Sequence, residues 1–356
     1  MADLHGYLKL MVEKNASDIF FSSYARIQIK INEVMRPVGE KRLSPLTVRE
    51  AIYSLMTERQ IEEFEREWEM NFAYSLTGVG RFRINVFKQR GDISFVIRHI
   101  RNQIPSISQL NLPLILEDLV MERRGLVLLV GATGSGKSTS LAAMVQSRNL
   151  RTTGHILTIE DPVEYLFTNK KSLISQREVG MDTHSYAHGL KNALREAPDM
   201  IVIGEIRDKE TMSHAVRYAE TGHLCLSTLH ANNSSQAIER ILSFFPEGDA
   251  RKLQLELAQN LKAIVSLRLV KGIDGELIPA SEVLINSPYI ASLINRGDLG
   301  KIKEAVEQGG DGSMFTFEDS LFALYEAGKI SYDEAVYNAD SKNNMALKLK
   351  LLGREP

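Results

Sequence analysis

The sequence is short of cysteine, of long apolar runs and of any surplus of charge, and each shortage closes off a class of protein. Cys225 is the single cysteine among 356 residues, so an intrachain disulfide framework and a cysteine-ligated zinc site are both excluded. Its setting, HLCLSTL, suits a small buried side chain. The longest apolar stretches, such as GLVLLV at 125–130, run to about six residues, far short of the ~20 that cross a bilayer. The opening MADLHGYLKLMVEKNASD interleaves charged and apolar residues and has no signal-like apolar core. Lys and Arg number 43 against 45 Asp and Glu, a formal net charge of −2, which does not suit a protein that coats nucleic acid. Together these absences predict a cytoplasmic chain with no membrane span and no nucleic-acid partner.

What is present is an ordinary globular composition, 44% hydrophobic and 25% charged, in a chain long enough for two domains. Residues 1–104 predict a small α+β unit on an antiparallel sheet. Its expected elements are a helix over 4–12, strands at 17–21 and 26–31, two charged helical stretches across 45–68, and strands at 71–76, 81–87 and 93–100. The segment RNQIPSISQLNLP, 101–113, carries two prolines and little periodicity, and a linker is expected over 105–113. From 114 to 356 the pattern is α/β. Apolar runs at 125–130, 155–160, 200–205 and 223–230 are continuous rather than alternating, as strands buried on both faces of a parallel sheet must be. Helices are expected at 137–149, 186–196 and 209–221. The Leu- and Ala-rich stretch 250–270 predicts the start of a mostly helical C-terminal region.

Gly131-Ala132-Thr133-Gly134-Ser135-Gly136-Lys137-Ser138, followed by Thr139, matches G-x-x-x-x-G-K-[ST] in full. It follows the strand GLVLLV and opens the helix KSTSLAAMVQS, the context such a loop requires. Its glycines let backbone N–H groups curl round a phosphate, Lys137 reaches the β/γ oxygens and Ser138 ligates Mg²⁺. The loop alone leaves ATPase, kinase and GTPase open. No NKxD guanine reader lies downstream, and no acceptor site for a kinase is evident.

Carboxylates supply the remaining chemistry. Pro162 stops the strand HILTIE, so Glu160, Asp161 and Glu164 project at its C-terminal end, where open α/β sheets bind ligands. Glu164 is the candidate to polarise an attacking water. The strand MIVI ends in Gly204-Glu205, with glycine where a Walker B strand usually carries aspartate. Glu205 is therefore expected to hold Mg²⁺ through water, and Arg207 to pair with an acid there. His230 ends the strand HLCLSTLH and is expected to read a γ-phosphate, while His223, at the other end, lies too far away. In RFRINVF, alternation puts Arg81 and Arg83 on one face and Phe82, Ile84 and Val86 on the other. Two outward guanidiniums suit arginine fingers, and Arg98 is a further candidate.

GATGSGKST, TIEDPVEY, DMIVIGEIRD and TGHLCLSTLHANNSSQAIERIL occur in this order, and on them the sequence resembles the secretion and type IV pilus ATPases, specifically the PilT/PilU retraction branch and within it the PilU-type paralogues. The resemblance implies an N-terminal PAS-like domain, a RecA-like P-loop core with helical C-terminal segments, and a homohexameric ring with ATP and Mg²⁺ between the two domains. It implies that Glu164 is the catalytic glutamate, that Glu205 is the Walker B acid, and that a neighbouring subunit supplies residues. The implied partners are a paralogous retraction ATPase and the inner-membrane pilus platform protein, at the inner face of the membrane. Extension and secretion relatives usually carry a tetracysteine zinc module, which a chain with one cysteine cannot build. Pro288–Arg296 keeps the apolar spacing of the retraction motor's C-terminal helix but not its charged signature. Two alternatives stand beside a retraction ATPase: an accessory subunit acting through the paralogous motor, and a secretion or extension ATPase.

Overall fold

A computed structural model of the chain describes residues 4–31, 34–309 and 312–350. The outermost residues of both expected units, 1–3 and 351–356, lie outside that description. The chain divides into two compact units, one of 1–103 with 164–166, the other of 104–163 with 167–356.

The first unit runs α1 (Leu4–Glu13), β1 (Asp18–Ser22), β2 (Arg26–Ile31), β3 (Val34–Arg42), α2 (Pro45–Tyr53), α3 (Glu58–Glu67), β4 (Glu69–Leu76), β5 (Gly80–Gln89) and β6 (Asp92–Ile100). Its antiparallel sheet has the order β3-β2-β1-β6-β5-β4. Sequence alternation decides which face packs: Phe82, Ile84 and Val86 of β5 are wholly buried with Phe21 and Phe95, whose rings stack at 4.5 Å. The β5–β6 hairpin turns on Arg90-Gly91, both at positive φ, between the paired Gln89 and Asp92, as a two-residue turn demands. Local caps fix the helices. Ser44 accepts from the Thr47 N–H ahead of α2, and Thr57 forms a capping box with Gln60 ahead of α3. Strand β3 has no counterpart among the sequence expectations. It is an exposed edge strand carrying Pro37 and Gly39, composition that conceals strands.

The second unit runs α4 (Ile115–Leu119), β7 (Gly125–Val130), α5 (Lys137–Arg151), β8 (Gly154–Glu160), β9 (Ser172–Glu178), α6 (Tyr186–Ala193), β10 (Met200–Ile203), α7 (Lys209–Glu220), β11 (Leu224–Leu229), α8 (Ser234–Ser243), α9 (Glu247–Asn260), β12 (Leu261–Lys271) and β13 (Leu277–Ile285). Helices α10 (Pro288–Arg296), α11 (Ile302–Glu307), α12 (Phe317–Glu326), α13 (Tyr332–Asn338) and α14 (Lys342–Lys350) complete it. Its sheet has the order β13-β12-β7-β11-β10-β8-β9, parallel except for β13. β7 and β11 are buried at every residue. Alternate residues feed a core under α5 and another under α7 and α9, the two-sided burial that the continuous apolar runs require.

The stretch 250–270 corrects the sequence expectation. Only Glu247–Asn260 is helical, and 261–271 is strand β12, parallel to β7 and antiparallel to β13. A short apolar run with Leu at 3–4 spacing also alternates, and the β-branched Ile264, Val265 and Val270 settle into the pleat. Arg268 of β12 holds the C-terminal helices. It donates to the Asn338 carbonyl at 2.7 Å, pairs with Asp340 at 2.5 Å and lies 3.9 Å over the Phe317 ring.

Glu282 of β13 is buried and caps α8: its Oε1 accepts from the Ser234 N–H at 2.8 Å, from Ser234 Oγ at 2.5 Å and from Ser266 Oγ at 3.2 Å. Burial pushes the Glu282 carboxyl above its ordinary value, against the lowering effect of those hydrogen bonds. An acid whose folded pKa is raised favours the folded state below its ordinary value and loses that advantage as pH climbs through the raised one. Glu282→Gln keeps the accepting oxygen without the charge. It is therefore expected to be more stable than wild type by about 1 kcal/mol at neutral pH. The difference should vanish as pH falls to the ordinary carboxylate range, measured by urea unfolding across pH.

Candidate functional site

The phosphate loop joins β7 to α5, and close packing leaves no room for side chains at its first residue. A Cβ on Gly131 would collide with Ser135 Oγ and lie 2.6 Å from the Leu267 carbonyl oxygen of β12. Gly134 and Gly136 take φ of +78° and +90°, the left-handed region open to glycine, and Gly136 leads directly into α5. Lys137 is buried, its Nζ donating to the carbonyls of Gly131 and Ala132 at 2.8 Å each. Ser135 Oγ is buried with no hydrogen-bond partner. A cradle of glycines with an orphaned hydroxyl and a buried ammonium fits a phosphate chain. Ser138 and Thr139 lie in the first turn of the helix, whose N-terminus adds its dipole to that preference.

Strand register brings the other groups to the same end of the sheet. Leu229 pairs with Val130, so His230 and Gly131 leave adjacent strands side by side. Ile203 pairs with Ser227 on one side and Ile159 on the other, which puts Glu205 between the ends of β11 and β8. The Glu205 carboxylate is gripped from two directions. His230 Nε2 lies 3.1 Å from Oε1, and Arg207 holds Oε2 through Nη2 at 2.7 Å and Nε at 2.8 Å. The Glu205 carboxylate raises the Arg207 guanidinium further above its ordinary value. Glu160 ends β8 and accepts from Thr158 Oγ1 at 2.6 Å and Gln176 Nε2 at 3.3 Å. Among the described residues no group of three or more His, Cys, Asp or Glu forms a self-sufficient metal cage. Mg²⁺ takes one or two protein ligands and leaves the rest to phosphate and water. Ser138 and Glu205 can supply those two ligands.

Loop, Glu205 and His230 thus converge in the second unit. Glu164, Arg81 and Arg83 belong to the first unit. Glu164 is exposed and belongs with the first unit, where Leu166 donates to the Arg101 carbonyl at 3.0 Å and Tyr165 bridges Arg101. Arg81 and Arg83 lie on the sheet face opposite the first unit's core, and the Arg81 Nε is buried without a partner. Arg83 lines a concavity of about 360 Å³ with Asp18, Lys30 and Arg98, and there Arg98 pairs with Asp18 at 2.7 Å.

Sequence reasoning passed over Tyr186. Its ring reaches Gly204 from α6, and a Cβ on Gly204 would sit 2.7 Å from the phenol oxygen. No motif marks a tyrosine 18 positions before that glycine; only the fold brings them together.

The profile of the type II/IV secretion system protein family matches residues 2–286. The type IV pilus ATPase PilU of Pseudomonas aeruginosa is 48% identical over 345 residues, covering 97% of this chain and 90% of that protein. The retraction ATPase PilT of the same organism is 35% identical over 342 residues, covering 96% and 99%. A crystal structure of the pilus retraction motor PilT with bound ADP superposes with a TM-score of 0.90 at 36% identity, covering 97% of this chain and 99% of that one.

Gly131→Ala tests the loop directly. Its methyl must displace Ser135 or β12, and ADP affinity is expected to fall at least about tenfold, for a cost on the order of 1.4 kcal/mol, by isothermal titration calorimetry.

Proposed function

The chain belongs to the family of type II/IV secretion system proteins and, within it, to the PilT/PilU pilus retraction ATPases, and from that membership we propose a mechanochemical ATPase of type IV pilus retraction that works as a homohexameric ring. The observation that carries the reading is the Glu205 carboxylate, held by His230 and Arg207 at the strand ends beside the phosphate loop.

The residues divide the work by chemistry. Gly131, Ala132, Thr133, Gly134, Ser135, Gly136 and Thr139 line the phosphate chain, and Lys137 exchanges its loop carbonyls for β/γ oxygens. Ser138 and Glu205 would hold Mg²⁺, which would supply positive charge against the negative charge that develops on the phosphate oxygens. Glu164 orients the attacking water and takes its proton. His230 reads the γ-phosphate and passes its presence to Glu205 through their contact at 3.1 Å. Arg81 and Arg83 are arginine fingers offered by the PAS-like first unit, which joins the core through the linker 105–113. The orphaned Arg81 Nε supports a role that calls for a partner outside its own sheet.

No helix among the described residues is long and apolar enough to cross a membrane. In this reading force passes to the inner-membrane platform protein from a ring at the membrane's cytoplasmic face. The greater identity to PilU than to PilT, 48% against 35%, favours assistance to a paralogous motor over retraction alone. So does the missing charged signature in Pro288–Arg296.

Glu164→Gln is expected to lower kcat for ATP about 100-fold or more while ADP affinity stays within about threefold, because the amide keeps the shape and loses the base. Loss of ADP binding in that variant would make Glu164 a binding residue instead. ATP turnover of the wild-type chain, alone and mixed with the paralogous motor, tests the partnership. A rate above the sum of the two separate rates is expected, and strict additivity would remove the accessory reading.

A further inference from the structure

Gly204 stands where a Walker B strand ordinarily carries its first carboxylate, and the place is filled from elsewhere. Met200 and Val202 of β10 belong to the core under α5, whereas Ile201 and Ile203 face α7. Gly204 follows the last residue of the strand, Ile203, and the ring that meets it comes from α6, on the α7 side of the sheet. A Cβ there would lie 2.7 Å from the Tyr186 oxygen and 3.1 Å from the Glu160 Cα. An aspartate therefore cannot be added without evicting the phenol.

Local structure holds the ring in place. Ser185 caps α6 by accepting from the His188 N–H at 3.1 Å, which makes Tyr186 the first helical residue. Gly189, one turn on, lets the helix close against Ile159 and Thr183, where a Cβ would meet atoms at 3.1 and 3.2 Å. The backbone N–H of Glu205 donates to the phenol oxygen, and Asp161, Glu160 and Arg207 all act on it electrostatically. The hydroxyl is half-buried and keeps its proton at physiological pH, since burial and the two acids push it above its already high ordinary value.

Charge explains why a phenol suits this position. Glu160, Asp161 and Glu205 already crowd one end of the sheet, and a carboxylate at 204 would add a fourth negative charge with strong mutual repulsion. We infer that Tyr186 takes the place of the missing Walker B carboxylate as a positioning residue, its hydroxyl fixing the Glu205 peptide and offering a neutral hydrogen bond to the oxygen shell of the Mg²⁺-bound nucleotide. The inference rests on reading Glu205 as the metal-side acid, and the two can be tested apart.

Tyr186→Phe deletes the oxygen and keeps the ring. ADP binding to the full chain, with Mg²⁺ and with EDTA, is expected to show about a fivefold loss for Mg²⁺-ADP and none for metal-free ADP, with the melting temperature unchanged. Equal affinity to wild type in both conditions overturns the inference. So does an equal loss in both, which marks a packing role. Gly204→Ala, whose methyl displaces the phenol by an independent route, should reproduce the metal-selective loss, and wild-type binding there overturns the inference even if Tyr186→Phe fails to fold. Glu205→Gln separates the layers. If it abolishes the Mg²⁺ dependence while Tyr186→Phe preserves it, only the role of Tyr186 fails. If Glu205→Gln preserves that dependence, the reading of Glu205 fails.

Discussion

The parallel pairing of β11 between β7 and β10 is the constraint on which the site depends. Parallel strands place like ends together, and the register Val130–Leu229 and Ser227–Ile203 aligns three C-terminal ends. The phosphate loop, His230 and Gly204-Glu205 then emerge from neighbouring strands without any long-range loop having to find its target. A slip of one residue in β11 would turn His230 to the opposite face and send Cys225, Leu229 and their neighbours into the wrong core layer. Burial of β7 and β11 at every position makes such a slip costly. The apolar runs that build the core are thus the same feature that fixes the geometry of the candidate site.

A related economy appears at Glu205. A carboxylate at 15% side-chain exposure needs partners, and it has one on each oxygen, one of them a guanidinium from the same turn. Arg207 satisfies one lone-pair set locally and leaves the other to His230, which belongs to a different strand. His230 therefore cannot move without changing the hydrogen bonding of the acid beside the loop. This is a physical basis for a histidine at that strand end, and it depends on distance rather than on motif.

Most of the second unit's sheet was legible in sequence because β7, β8, β10 and β11 are buried on both faces and read as unbroken apolar runs. Edges were not legible. β3 is exposed along almost its whole length, and β9 mixes Ser, Gln, Arg and Glu with two aliphatics. β12 was misread because Leu and Ala at mixed spacing satisfy both periods, and tertiary pairing with β7 decides between them. Of the site, the loop was legible from spacing and Glu205 from its strand. Its two-sided grip was foreseen only as an acid beside Arg207. Tyr186 carried no signal, since a helix cap, a hinge-free helix and a glycine on another strand must combine before it meets anything.

β12 also has a structural part to play that composition hides. The Leu267 carbonyl presses on Gly131, at 2.6 Å from where a Cβ would stand, and the next side chain, Arg268, reaches Asn338, Asp340 and Phe317. Two consecutive residues of one strand thus face the phosphate loop and the C-terminal helices. Close-packed interiors transmit strain rather than absorb it, so a shift of β12 by a fraction of an ångström is felt at both. The helices from 317 onward are therefore not an appendage on a finished ATPase core: their anchor is the strand that shapes the loop's first glycine.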